Sequence, residues 1–384
     1  ITTEYEYWGS YTVKLAIGGE NHFYFALDVV LACVAAVVVY SYLNKQNSVA
    51  AVHAMPFSRL SLYLTNYASG FALAVLPRLV NTLVLLAVKK EFVISQGVNI
   101  FTAAAVLKVF GLGLVVILFT YALSVLAAMV SGNSVIAMLT APTVNFIFPL
   151  FIASLTSYGE SYLYGFSYGS VVEDIAAKLM PAIIFFDDNY VSICAGGARA
   201  LPGLCVSYII AAIAVSVLSF FFYKKRRLER AGDAYVFDVI KYIVCFFFVY
   251  FAGTMFGLIF SELKIGFGMI IGIIVGFAIG WMIANKSFKI FNLKALKALG
   301  IYAVIMLAIV GIFKFDLTGY SKRTPAAENV EKVYIDSNIS NYYYVSDLTD
   351  ATSFSDAENI KHAAAMQKDI AAHKGDFSEY GDGY

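Results

Sequence analysis

Long apolar stretches of roughly twenty residues, each bounded by charge, constrain this chain more than any other feature. Hydrocarbon about 30 Å thick is crossed by roughly 20 residues of helix rising about 1.5 Å each. Eight windows meet that requirement: Tyr24–Tyr42, Phe71–Val88, Val109–Val130, Val135–Thr156, Gly203–Phe222, Ile240–Phe260, Gly266–Ala284 and Ala298–Phe313. Backbone groups in lipid must be paired within their own segment, so each window predicts a helix, and none alternates as a barrel strand does. At 60% hydrophobic and 14% charged residues, the chain has too little polar surface to cover a soluble fold. The expectation is an all-α polytopic membrane protein with about eight transmembrane helices.

Charge orients the spans. Lys224, Lys225, Arg226, Arg227 and Arg230 follow the fifth, and Lys286, Lys289, Lys294 and Lys297 separate the seventh from the eighth. The positive-inside rule makes both clusters cytoplasmic. Alternation then places Asn44–Asn66 and Ser131–Ser134 inside, and Ile1–Phe23, Lys89–Gln96, Ser157–Pro202 and residues 314–384 outside. The outward pair Lys89–Lys90 argues against this arrangement and is balanced only partly by Glu91. An outside start without an initiator methionine predicts one more transmembrane helix ahead of Ile1. Net charge of +1, with the basic residues at membrane edges, argues against a nucleic-acid partner. The implied contacts are membrane lipids.

Several segments are too short or too polar to span. Within Asn44–Asn66, Pro56 interrupts the pattern and predicts a short amphipathic helix, a turn at Met55–Ser58 and a new helix from near Ser58. Asn99–Lys108 reads as an interfacial lead-in, and Val171–Met180 as a re-entrant or interfacial helix within the long Ser157–Pro202 segment. In the seventh span Gly268, Gly272, Gly276 and Gly280 recur every four residues and predict one flat face for close helix packing. In the C-terminal segment, Val330–Asp336 and Asn341–Ser346 read as strands. A helix follows with a capping box at Ser355 and Glu358, an apolar face that includes Ile360, and a stop at Gly375. This gives a small outer α+β domain, able to continue beyond Tyr384.

Chemistry is sparse. The chain has no Gly-Lys pair and hence no phosphate-binding loop. His22, His53, His362 and His373 are scattered without metal-ligand spacing, and no Gly-x-Ser-x-Gly elbow occurs. Asp187–Asp188 is a paired carboxylate in an outer loop, read as a solvated turn or a metal position. Cys194 and Cys205 are read as two small hydrophobes or a disulfide. The chain is expected to bind no metal and no cofactor, and not to be an enzyme. Intramembrane polar residues are the better candidates, because a charge in lipid faces a cavity or a partner. Asp28, Arg78, Asn81 and Asn145 are these. An Asp28–Arg78 pair requires adjacent first and second spans, whose window positions differ in depth by on the order of 10 Å. Pro142, Asn145 and Pro149 predict a local loosening of the fourth span.

The run His53-Ala-Met-Pro-Phe-Ser-Arg59, followed by Leu62 and Thr65-Asn66-Tyr67-Ala68-Ser69-Gly70, resembles the Pro-x-Ser-Arg segment of type-2 ATP-binding-cassette exporter permeases, in particular a Gram-positive group. Ser131-Gly132-Asn133 is similar as well. So are Tyr223-Lys224-Lys225-Arg226 with Glu229-Arg230-Ala231-Gly232, and Thr318-Gly319-Tyr320 with Lys322-Arg323. The likeness covers nearly the whole chain. It implies a six-helix exporter core of which five helices lie in Tyr24–Phe222, a basic linker at 223–239, three added spans at 240–313 and the outer domain at 314–384. Asn44–Asn66 is then a coupling segment in which His53, Pro56, Ser58 and Arg59 meet a separate ATPase subunit, which carries the ATP and magnesium. A second permease, identical or related, completes the assembly in the cell membrane. The apolar spans suit an amphipathic or lipid-like cargo such as an antimicrobial peptide or drug. The alternative is a sensor or immunity protein whose outer domain binds a peptide without transport.

Overall fold

A computed structural model describes residues 22–88, 101–163, 166, 178–179, 201–323, 326–335 and 352–372. The helices, in chain order, are α1 (His22–Val39), α2 (Gln46–His53), α3 (Arg59–Val88), α4 (Ala103–Val130), α5 (Ser134–Tyr162), α6 (Leu201–Lys225), α7 (Asp238–Ile259), α8 (Ser261–Asn285), α9 (Leu293–Lys314) and α10 (Ala357–Ala372). Seven of them, α3 to α9, are long and apolar enough to cross a membrane, and α1 is a shorter apolar helix over the first window. The protein is thus a multi-pass helical membrane protein.

Helix limits differ from the hydropathy windows where polar residues extend a span into the interface. The second span, α3, starts at Arg59, twelve residues before the window at Phe71, with Ser58 Oγ accepting the Ser61 amide at 3.0 Å. Asn44–Asn66 divides as its Pro56 predicts, into a short helix, a turn and a new helix from near Ser58. It comprises the end of a 3-10 turn (Ser41–Asn44), then α2, a turn over 54–58 and the first turns of α3. The expected lead-in at Asn99–Lys108 is also absorbed, because Thr102 caps a continuous α4 by accepting the Ala105 amide at 3.1 Å. Most of Val171–Met180 lies outside the described residues, as do Asp187–Asp188, Cys194, Lys89–Gln96 and nearly all of Ile1–Phe23.

The chain forms two compact units, Ile1–Pro149 with Ala177–Leu296, and Leu150–Ala176 with Lys297–Tyr384. In the first, α4 is the hub: it packs against α1, α3 and α6 and is the most buried of the spans. Its small and β-branched residues Val116, Ile117, Val125 and Ala128 meet Ala32, Ala36 and Val37 of α1. Also in this unit, α7 and α8 form a tight antiparallel hairpin. A Cβ added at Gly272 would fall against the Ala252 carbonyl, one at Gly276 against the Phe248 carbonyl, and one at Gly268 against the Phe256 carbonyl. Gly280 faces Phe248 and Cys245. The glycine stripe therefore lies on the neighbouring helix of the same chain, backbone against backbone.

In the second unit Tyr158 and Phe313 rings lie 6.0 Å apart, and Phe166 meets Tyr320 at 5.3 Å. After α9, Asp316 accepts the amides of Tyr320 (2.8 Å) and Ser321 (3.1 Å), closing the Thr318-Gly319-Tyr320 turn with Gly319 at φ 64°. A two-stranded antiparallel sheet pairs β1 (Val333–Ile335) with β2 (Thr352–Phe354). The strand that the sequence predicts at Asn341–Ser346 lies outside the described residues. α10 is capped by Asp356, whose carboxylate accepts the Asn359 amide at 3.1 Å and its side-chain NH2 at 2.9 Å. The cap is one residue later than Ser355: the two carboxylate oxygens of Asp356 stand far enough apart to take the backbone and the side-chain donor of Asn359 separately. Gly375 lies outside the described residues.

Candidate functional site

Among the described residues, polar clusters are buried between the spans of the first unit. One centres on Arg78 of α3, whose Nη1 donates to Asp28 Oδ2 of α1 at 2.5 Å and whose Nη2 donates to the Val109 carbonyl of α4 at 2.7 Å. Both side chains are buried. Phe25 lies beneath the guanidinium, 5.1 Å from ring centre to Cζ, and Gly113 leaves the space it occupies, since any Cβ there would overlap Arg78. The two residues meet despite the depth difference expected from the windows, and register explains why. Tyr40 donates to the Tyr63 carbonyl at 3.0 Å, which levels the end of α1 with Tyr63 of α3. From that mark Asp28 stands about 18 Å up α1 and Arg78 about 22 Å up α3. Helical side chains lean toward their own N-termini, so Arg78 reaches down and Asp28 up. Asn81, half-buried three residues on, takes no part in the pair.

The second cluster holds Asn145 of α5. Its Nδ2 donates to Ser124 Oγ (3.2 Å) and to the Ala141 carbonyl (2.8 Å), and lies 3.9 Å from Cys33 Sγ. Helices α1, α4 and α5 are thereby joined by polar atoms. Pro142 and Pro149 lack donors and free the carbonyls of Met138 and Asn145 within α5, whereas the Asn145 side chain bonds a different carbonyl, that of Ala141.

Toward the far end of α3 the contacts become aromatic. Tyr63 packs against Tyr40, Tyr67, Phe220 and Tyr223 at centroid separations of 5.3–6.0 Å. Hydroxyls at the edge form a chain: Asn66 Nδ2 donates to Tyr42 OH (3.2 Å), Tyr42 OH meets Tyr223 OH (3.4 Å), and Tyr223 OH meets His53 Nε2 (3.4 Å). His53 Nδ1 in turn contacts the Val49 carbonyl at 3.0 Å. Arg59 Nη1 donates to the Lys224 carbonyl at the end of α6, 2.9 Å away, while the side chain stays exposed. Of the four residues read as a coupling set, His53 and Arg59 bind the end of α6, Ser58 caps α3, and Pro56 is exposed on the intervening turn.

Sequence reasoning missed Arg226. It follows α6 as one of four consecutive basic residues, yet it is buried. Nη1 donates to the carbonyls of Ala128 (3.1 Å), Met129 (2.9 Å) and Ser131 (2.7 Å), and Nη2 to Leu43 O and Asn44 Oδ1 at 2.9 Å each. The planar fork thus satisfies carbonyls that the end of α4 leaves orphaned, with its charge at the negative pole of that helix. Burial pushes the guanidinium down to about 10, partly offset by Tyr42 and Tyr223, and it stays cationic at neutral pH. No local signal separates Arg226 from Lys225 or Arg227; the partners lie 95 to 183 residues away.

The linker that follows is laid along the Ser131-Gly132-Asn133 turn. Gly132 N donates to Ala234 O (3.1 Å), Gly232 N to Gly132 O (2.7 Å) and Val236 N to Val130 O (2.9 Å). Gln46 of α2 reaches Ala231 O at 3.5 Å, Arg230 forms a two-pronged bridge to Asp238 at the start of α7, and Lys286 after α8 donates to Gly232 O. The segments assigned to the cytoplasmic side by alternation therefore share one end of this unit. Among the described residues no group of three or more His, Cys, Asp or Glu is placed to hold a metal ion. No family model, curated protein or solved structure matches the chain.

Proposed function

We propose that the protein is the membrane-spanning subunit of an exporter driven by a separate ATPase, moving an amphipathic or hydrophobic substrate such as an antimicrobial peptide, drug or lipid. The supporting observation is the α2–α3 turn. Met55 and Phe57 are 50% and 63% exposed there, flanking Pro56, at the basic end of the unit. The residues on both sides of this turn are fastened to the end of one span, α6, through His53 to Tyr223 and through Arg59 to the Lys224 carbonyl. An apolar knob that is open to a soluble partner and rigidly joined to α3 and α6 is suited to passing a partner's movement into the helices. Nucleotide-driven closure of the ATPase would then favour one packing of two permease copies over the other. On this reading ATP and magnesium belong to the partner subunit, the α2–α3 end is cytoplasmic, and residues 314–384 face outward from the cell membrane.

The test is affinity purification from native membranes with mass spectrometry, comparing the native chain with Phe57→Asp and Arg59→Glu. An ATPase should co-purify with the native chain and be lost from the Phe57→Asp variant, and Arg59→Glu should lower transport-coupled ATP hydrolysis. If no ATPase co-purifies, or both variants retain it with unchanged activity, the exporter reading is wrong. A non-transporting peptide sensor then becomes the better account.

A further inference from the structure

Between α8 and α9 the chain runs Lys286-Ser-Phe-Lys-Ile-Phe-Asn-Leu-Lys, with three lysines and no acidic residue. Phe288 and Phe291 are 90% and 99% exposed, and Leu293 and Leu296 continue the apolar surface onto the first turn of α9. Lys289 and Lys294 are exposed beside them. These rings project from a structured turn. α8 ends with Lys286 in the left-handed region at φ 49°, its amide donating to Ile283 O and the Ser287 amide to Met282 O. Ser287 Oγ accepts the Lys289 amide (3.2 Å), the Ile290 amide donates to Phe288 O (3.0 Å) and the Asn292 amide to Ile290 O (3.2 Å). Asn292 Oδ1 then caps α9 through the Ala295 amide at 2.7 Å. Every few residues a hydrogen bond fixes the direction of the chain, so the two rings are held away from the protein.

Rings held out in this way need an apolar environment, and α8 and α9 both leave the hydrocarbon within a few residues of them. Aromatic side chains at that level, with lysines alongside and no acidic residue within the turn, are complementary to a phospholipid surface of negative charge. Lys286, which donates to Gly232 O, fixes the turn to the same end as Lys224, Lys225 and Arg230.

We propose that Lys286–Leu296 is an interfacial anchor selective for anionic phospholipid. Phe288 and Phe291 enter the boundary between headgroups and acyl chains, and Lys289 and Lys294 bind the headgroup phosphates. The occupant is lipid and not a protein, because the rings lie at the exit of two spans and the charge is of one sign.

Native mass spectrometry of the full chain in detergent, titrated with phosphatidylglycerol or with phosphatidylcholine of the same acyl chains, tests this. Phosphatidylglycerol adducts should form at lower lipid concentration, and Lys289→Gln with Lys294→Gln should reduce that preference on the order of tenfold. Phe288→Ser with Phe291→Ser should weaken both lipids, and circular dichroism should show the helix content of both variants unchanged. Equal adducts of the two lipids on the native chain overturn the proposal. So does a phosphatidylglycerol preference that survives the lysine substitutions. A soluble protein lost on substitution of the phenylalanines, with lipid preference intact, would reassign the surface to a protein partner. None of these outcomes depends on whether an ATPase binds at the α2–α3 turn.

Discussion

Two regions of the first unit hold their helices together by different means. Around α4, polar side chains cross between helices: Arg78 joins Asp28 and the Val109 carbonyl, Asn145 joins Ser124, and Arg226 gathers carbonyls from α4 and the preceding turn. In the α7–α8 hairpin, glycines bring one backbone onto another along four successive turns. In hydrocarbon there is no water to drive apolar faces together, so both devices are needed, but they have different consequences. A glycine interface gains from many small contacts that all require one spacing, and it resists rearrangement. A polar interface depends on a few directional bonds with defined partners, and it can exchange one set for another at a defined cost. The α1–α3–α4 region is therefore the better place for a conformational change, and the hairpin the better place for a fixed support.

The largest effect should come from breaking the ion pair on one side only. Arg78→Ala takes the cationic partner from the buried Asp28 carboxylate and should cost about 3–5 kcal/mol, read from loss of helix content on titration with sodium dodecyl sulfate, and Asp28→Ala should also destabilise. Asp28→Leu combined with Arg78→Met should recover most of that loss. A double variant as unstable as the sum of the singles would show that the two residues do not act as a pair, and the contrast with the hairpin would fail. Next in size is Gly272→Leu, which drives a side chain into the Ala252 carbonyl and should cost roughly 1–3 kcal/mol by overpacking. That loss should not be rescued by any single polar substitution, and Gly272→Ala should fall between the two. Smallest is Asn145→Ala. It removes bonds to Ser124 and the Ala141 carbonyl and should cost about 1 kcal/mol, since interhelical hydrogen bonds in membranes are individually modest. A larger loss would place Asn145 with the ion pair as a main support of α4.

Particular residues show what was legible beforehand. The glycine stripe was readable because its period of four is written along one helix, and closeness of approach needs only the absence of Cβ. Pro56 marked the turn before α3 because proline removes a donor wherever it falls. Arg226 was not readable. Its neighbours are equally basic, and only the placement of the α4 end and Asn44 around it selects that one guanidinium for burial. The Asp28–Arg78 pair fell between these cases. Both were marked as charges in apolar spans, but hydropathy windows placed them too far apart, because window limits do not fix the register between α1 and α3 that the Tyr40–Tyr63 contact sets.

The sequence by itself determined that this chain spans a membrane, that its spans are helical, roughly where they lie, and which face of α8 admits a close neighbour. Each of these follows from constraints that act along the chain, namely the thickness of hydrocarbon, the need to pair every backbone group and the helical period. Tertiary structure decided which polar groups meet. Such meetings depend on helix register to within a few ångströms, set here by contacts such as Tyr40 with Tyr63, and a pattern of apolar residues specifies register only to about a turn.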